Sequence, residues 1–242
     1  MRLKLISCEV LFREMCDACA HSRHQVDLEF LPKGLHDLGG KPMAAKIQEA
    51  VDQTPEGVYD AILLGYGLCG NGLDGLAARH TRLVLPRAHD CIALLMGSRE
   101  RYQTYFEANP GTYYRSTGWS ERGKGLQQLT HETVGFDESL EAMIGKYGED
   151  NGRYLYAEMT RYRSQYRKLA FIETGLEAGG TLMDEAAAEA AEHGWAFERL
   201  AGDLAWVRRL VGGQWPETEF VIAAPGRRIA ASFDSGVIKV QG

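Results

Sequence analysis

Short apolar runs alternate along the chain with longer stretches in which apolar residues recur every three or four positions. Leu3–Ser7, Val26–Leu31, Ala61–Gly65 and Leu83–Pro86 in the first half have the length and branched aliphatic content of buried strands, as do Leu169–Thr174, Ala196–Leu200 and Phe220–Ala223 in the second. The intervening pattern predicts helices over Val10–Ala20, Met43–Thr54, Ile92–Phe106, Phe136–Ile144, Arg153–Arg167, Leu182–His193 and Leu204–Val211. Such alternation points to an α/β protein of two Rossmann-like lobes with mostly parallel sheets. The first lobe is expected over residues 1–110 and the second over 168–242, which repeats the order strand, helix, strand, helix, strand. Residues 111–167 lie between them. Their glycine-rich turns at Gly118–Gly125, followed by helical patterning, predict a bridge or lid over a shared cleft.

Composition narrows the function classes. A net charge of -6 with scattered Lys and Arg gives no electrostatic footprint for nucleic acid. No apolar run approaches the ~20 residues needed to cross a bilayer. The N-terminal run Leu3–Ser7 is too short for a secretory leader and meets Glu9, Arg13 and Glu14 at once, so a cytoplasmic setting with reduced thiols is expected. Five cysteines, an odd number, then favour metal binding, redox work or inert burial over a disulfide framework.

Three of those cysteines follow strands. Cys8 ends Leu3–Ser7, Cys69 follows Ala61–Gly65 by a short loop, and Cys91 follows Leu83–Pro86. Ligands of open parallel sheets sit beyond the carboxyl ends of the strands, so three thiols delivered there can converge on one metal. Any one of them alone is better read as a buried small hydrophobe. Together their surroundings are unlike core: Cys69 lies within Gly65-Tyr66-Gly67-Leu68-Cys69-Gly70-Asn71-Gly72, and Cys91 closes the polar run Arg87-Ala88-His89-Asp90. Three dispersed thiolates with no evident fourth suit a [4Fe–4S] cluster with one open iron. Zinc is the competitor, since His89-x-Cys91 has the spacing of a short zinc chelate. Cys16 and Cys19 form a C-x-x-C pair within or at the end of the first helix and are expected not both to be ligands, because a helix turns by ~100° per residue and separates their side chains unless it ends there.

Other candidates surround this set. His89, His36 and Asp90 are the acid/base candidates, although Asp90 equally suits the cap of a helix starting near Ile92. Gly67 and Gly70 carry G-x-G-x-x-G spacing with Gly65, but a dinucleotide fingerprint is not matched, and the loop reads as one that lets backbone approach a ligand. Tyr113 and Arg115, in the aromatic and hydroxyl-rich stretch Asn109–Trp119, are candidates for holding a flat or anionic ligand, with a structural role as the alternative.

With Cys8-Glu9-Val10, the glycine-rich Cys69 loop, Pro86-Arg87-Ala88-His89-Asp90-Cys91-Ile92 and Pro110-Gly111-Thr112-Tyr113-Tyr114, the chain resembles the bacterial and archaeal family of proteins of unknown function numbered sixteen thirty-eight. Its gene setting is similar to that of accessory proteins of corrinoid-dependent methyl transfer, which implies a corrinoid or methyltransferase protein as a partner. The expected function is an iron–sulfur enzyme whose open iron takes a small substrate. The alternatives are a zinc-dependent methyltransferase acting on a thiol, and a non-catalytic protein delivering metal or corrinoid.

Overall fold

The computed structural model describes residues 1–122, 140–160, 165–232, 234 and 236–242. In chain order, β1 (Arg2–Cys8) leads through a 3₁₀ turn (Glu9–Leu11) into α1 (Phe12–Ala20). Next come β2 (Gln25–Leu31), a second 3₁₀ turn (Lys33–Leu38), α2 (Gly40–Asp52), β3 (Ala61–Gly65) and β4 (Leu83–Pro86). Then follow α3 (Cys91–Leu95), α4 (Arg99–Ala108), β5 (Thr112–Ser116), α5 (Thr117–Glu121), α6 (Leu140–Tyr147) and α7 (Glu149–Thr160). The chain closes with β6 (Lys168–Glu173), α8 (Thr181–Glu192), β7 (Ala196–Ala201), α9 (Ala205–Val211), β8 (Phe220–Ala223), β9 (Arg228–Ala231) and β10 (Ile238–Gln241).

The architecture is α/β with mostly parallel sheets. The larger sheet has the order β2-β1-β3-β4-β8, parallel except for its last strand. Its inner strands β3 and β4 are buried along their whole length, which is why Ala61–Gly65 and Leu83–Pro86 are continuous apolar runs rather than alternating ones. A parallel three-stranded sheet, β5-β6-β7, forms the second unit, and β9 and β10 make an antiparallel hairpin.

The hairpin strands β9 and β10 are absent from the sequence expectation, and three further elements differ from it. Phe220–Ala223 does not extend the second sheet but pairs antiparallel with β4 in the first. The third strand of the second sheet is Thr112–Ser116, expected in the bridging stretch and found as an edge strand beside β6. The helix expected over Ile92–Phe106 is two helices. Gly97 adopts φ +78°, a conformation that suits glycine and ends α3, and the Ser98 hydroxyl then caps α4 by accepting from the Arg101 N–H. The expected turns at Gly118–Gly125 and the expected helices Phe136–Ile144 and Arg153–Arg167 lie partly outside the described residues.

One large core covers both faces of the five-stranded sheet, reaching across to Ile172 of β6, and a smaller one forms under α8 around Leu169 and Phe171. The two sheets are tied together near the carboxyl ends of their strands. Arg13 of α1 bonds both carboxylate oxygens of Glu121 on α5 and the Leu176 carbonyl beyond β6, and the Thr174 hydroxyl donates to Glu14. Among the described residues, no helix is long and apolar enough to cross a membrane.

Candidate functional site

The site begins with strand register. Ser7 of β1 pairs with Gly65 of β3, and Ile62 and Leu63 pair with Leu83 and Val84 of β4, so the three strands end side by side. Cys8 is the last residue of β1 and is 1% exposed. Beyond β3 the chain does not turn away. Its Leu68 and Cys69 N–H groups donate to the carbonyls of Ala88 and His89, fastening the Cys69 loop to the loop that carries Cys91. Gly67 is required for that contact, because a Cβ there would lie 2.5 Å from the Asp90 backbone. Three successive residues, Cys69, Gly70 and Asn71, then take φ values of 46°, 64° and 68°. Gly70 does so without strain and Asn71 tolerates it. Cys69 in this conformation costs on the order of 1 kcal/mol. A cysteine serving only to fill space would not need that backbone.

The three thiols act on one another electrostatically, and N–H groups act on each of them. The Val10 N–H acts to lower Cys8, those of Gly67 and Cys91 to lower Cys69, and Trp119 to lower Cys91. Burial is the largest influence on all three. It pushes Cys8 and Cys69 up to about 12 and Cys91 well above the ordinary thiol range, and ionised Cys8 raises both Cys69 and Cys91 further. Lys33 acts the other way on Cys8, and the negative charges around the set are Glu9 and Asp90. Among the described residues no group of three or more His, Cys, Asp or Glu side chains is already arranged to hold a metal ion. Protonated thiols gain little by touching, so closing the three sulfurs on a common centre requires that they lose their protons.

That protonation has a consequence for stability. The folded thiols keep their protons to about pH 12 for Cys8 and Cys69, whereas unfolded thiols lose theirs near pH ~8.5. The folded state therefore binds more protons in this window, and stability falls with rising pH. Metal-free protein is expected to hold its full stability below about pH 8.5 and to lose it progressively toward pH 12, at roughly 1.4 kcal/mol per pH unit per thiol. Urea midpoints measured across that range check this; a flat profile above pH 9 would contradict it.

The second sheet supplies the cover. From β5 the chain enters α5, whose Gly118 lies so close to the turn after Cys8 that a Cβ would sit 1.7 Å from the Val10 carbonyl oxygen. This approach brings Trp119 to Cys91 and places its ring 4.2 Å from the Lys33 ammonium, a cation–π contact. His36, on the 3₁₀ turn after β2, sets its Nε2 3.7 Å from the Cys8 sulfur, with its ring centroid 6.4 Å from that of Trp119.

The other sequence candidates are dispersed. His89 has an exposed side chain and contributes its carbonyl to the Cys69 loop. Asp90 caps α3 by accepting from the Ala93 N–H and accepts a second bond from the Tyr102 hydroxyl at 2.9 Å. Asp90→Ala is expected to destabilise the protein by about 2 kcal/mol, since it removes a cap and leaves a buried phenol unpaired; thermal unfolding measures it. Arg115 forms a two-point ion pair with Glu189, and Tyr113 packs against Tyr166 and Trp195 in the second unit. Trp119, Lys33 and Tyr66 were not singled out from sequence. The glycine directly before Trp119 is the one signal that pointed to a close approach there.

The chain belongs to the family described as "Protein of unknown function (DUF1638)", whose model matches residues 30–211. Cys69 and Cys91 fall inside that span and Cys8 precedes it. No curated protein and no solved structure matches the chain.

Proposed function

We propose that this member of the family holds a [4Fe–4S] cluster on Cys8, Cys69 and Cys91, with one iron left open to a small substrate bearing a sulfur or oxygen donor. The observation that carries the reading is that β1, β3 and β4 end side by side and bring Cys8, Cys69 and Cys91 close enough to act on one another electrostatically. N–H groups of Val10, Gly67, Cys91 and Trp119 also act to lower these thiols. Such donors do little for a neutral thiol, a weak acceptor, but stabilise a thiolate and tune a cluster bound to it. The left-handed backbone at Cys69 supports the same reading.

When bound, the cluster supplies a Lewis-acidic iron. The chain's own residues do the rest. Trp119 acts on Cys91, and Lys33, stacked on the Trp119 ring, sets a positive charge near Cys8. His36 is the group placed to hold or move a proton, at Nε2 beside the Cys8 sulfur. That role passes to it from His89, whose side chain points to solvent.

The His36 geometry also favours a second reading, in which His36 completes a Cys₃His set around zinc and the centre activates a substrate thiol. Anaerobic reconstitution in the presence of iron, sulfide and zinc separates the two. Iron and acid-labile sulfide retained in equal amounts are expected. One zinc per chain without sulfide selects the second reading, and no metal retained at all defeats both. His36→Ala is expected to change how added thiol perturbs the cluster's absorption, while the same titration of His89→Ala superimposes on the unsubstituted protein.

A further inference from the structure

Tyr66 is the first residue beyond β3. Because Ser7 pairs with Gly65 in parallel register, the residues that follow, Cys8 and Tyr66, leave the sheet on the same face. Tyr66 is 1% exposed and among the largest fully buried side chains, and its hydroxyl has no hydrogen-bond partner among the described residues. Buried tyrosines find a partner for the phenol, because an unpaired one carries the desolvation penalty without return. Phenylalanine would fill the same volume without it. Burial acts most strongly on this hydroxyl, and the groups that act on it next are Cys8 and Cys69 once ionised. Both sulfurs are poor acceptors as thiols and good ones as metal-bound thiolates.

We propose that the Tyr66 hydroxyl donates a hydrogen bond to the sulfur of Cys8 or Cys69 when these bind a metal, making Tyr66 a positioning residue of the metal centre. The inference rests on the three-cysteine reading. It explains an orphaned donor that the metal-free arrangement leaves idle. A hydrogen bond to a cluster sulfur favours the more negative, reduced state and so raises the reduction potential. Removing it should lower the potential and weaken retention of the metal.

The test is Tyr66→Phe in the full chain, reconstituted anaerobically with iron and sulfide. Metal-free Tyr66→Phe is expected to melt no lower than the metal-free unsubstituted protein, because it sheds an unpaired hydroxyl. Loaded Tyr66→Phe should release iron to a chelator roughly tenfold faster or more, and its reduction midpoint should move to a more negative value. Tyr102→Phe is the control, since that hydroxyl already donates to Asp90; it should lower the melting temperature in both forms equally. Equal destabilisation of both forms by Tyr66→Phe would assign Tyr66 to packing and overturn the proposal, as would an unchanged midpoint and release rate in loaded protein. If the unsubstituted protein takes up no metal that depends on Cys8, Cys69 and Cys91, the three-cysteine reading falls, and this inference with it. Unchanged behaviour of loaded Tyr66→Phe overturns the inference alone.

Discussion

Cys8→Ser, Cys69→Ser and Cys91→Ser, made singly, are each expected to reduce bound metal to near zero, while Cys16→Ser and Cys19→Ser leave it essentially unchanged. The two groups of cysteine differ in what surrounds them. The first three lie at the ends of β1, β3 and β4, have N–H groups acting on them, and act on one another electrostatically. Cys16 and Cys19 stand on α1. Burial raises both, Cys19 packs against the large core, and the charged groups acting on them are Arg122 and Glu14 for Cys16 and Cys16 for Cys19. A cluster held by three thiolates has no spare protein ligand, so loss of one removes a third of its anchoring and exposes the remaining irons. Serine keeps nearly the same volume, and a buried hydroxyl beside an N–H donor costs little, so the folded apo protein should persist. Metal content per chain with circular dichroism as a check on folding reads the result. Loss of metal in both Cys16→Ser and Cys19→Ser would move the centre to α1.

The second large effect is steric and lies outside the thiol set. Gly118→Ala is expected to destabilise the protein by about 3 kcal/mol, the upper range for forcing extra volume into packed structure, and to lower metal retention as well. The added Cβ would sit 1.7 Å from the Val10 carbonyl oxygen, and both partners in that clash are backbone, so α5 or the turn after Cys8 must move bodily. Either movement disturbs the site: one withdraws Trp119 from Cys91 and Lys33, the other displaces the Val10 N–H that serves Cys8. Gly70→Ala is the comparison. Its Cβ meets open space, and the only cost is φ +64° for an L-residue, about 1 kcal/mol. Urea denaturation of the two variants distinguishes a clash from a conformational preference. Equal stability losses would mean that the α5 contact yields easily.

The parts of this arrangement that sequence reveals are local. Fully buried parallel strands such as Ala61–Gly65 announce themselves as unbroken apolar runs, and a cysteine at the end of one such run or a short loop beyond it points to the carboxyl edge of the sheet. Pairing partners are not local. Phe220–Ala223 has the same pattern as an inner strand of the second sheet and yet joins the first, because which edge a strand docks against depends on chain segments over a hundred residues away. Thr112–Ser116 carries strand-prone Tyr113 and Tyr114 but also Arg115 and flanking glycine and proline, so its edge position hid its register. The cover over the thiols escaped for the same reason. Trp119 reaches Cys91 only through the packing of the second sheet's α5 on the turn after β1, a contact whose single trace in the sequence is Gly118. Asp90 shows the opposite case, where the structural alternative legible from its place before Ile92, a helix cap, is the arrangement observed.

The most direct test of the account is where the metal sits. Crystals of anaerobically reconstituted protein, with anomalous scattering recorded at the iron edge, should show an iron–sulfur cluster bonded to the sulfurs of Cys8, Cys69 and Cys91, beneath Trp119, with one iron bearing no cysteine. A cluster or ion bound instead by Cys16 and Cys19, or a loaded protein in which any of the three sulfurs stays outside the coordination sphere, would contradict it.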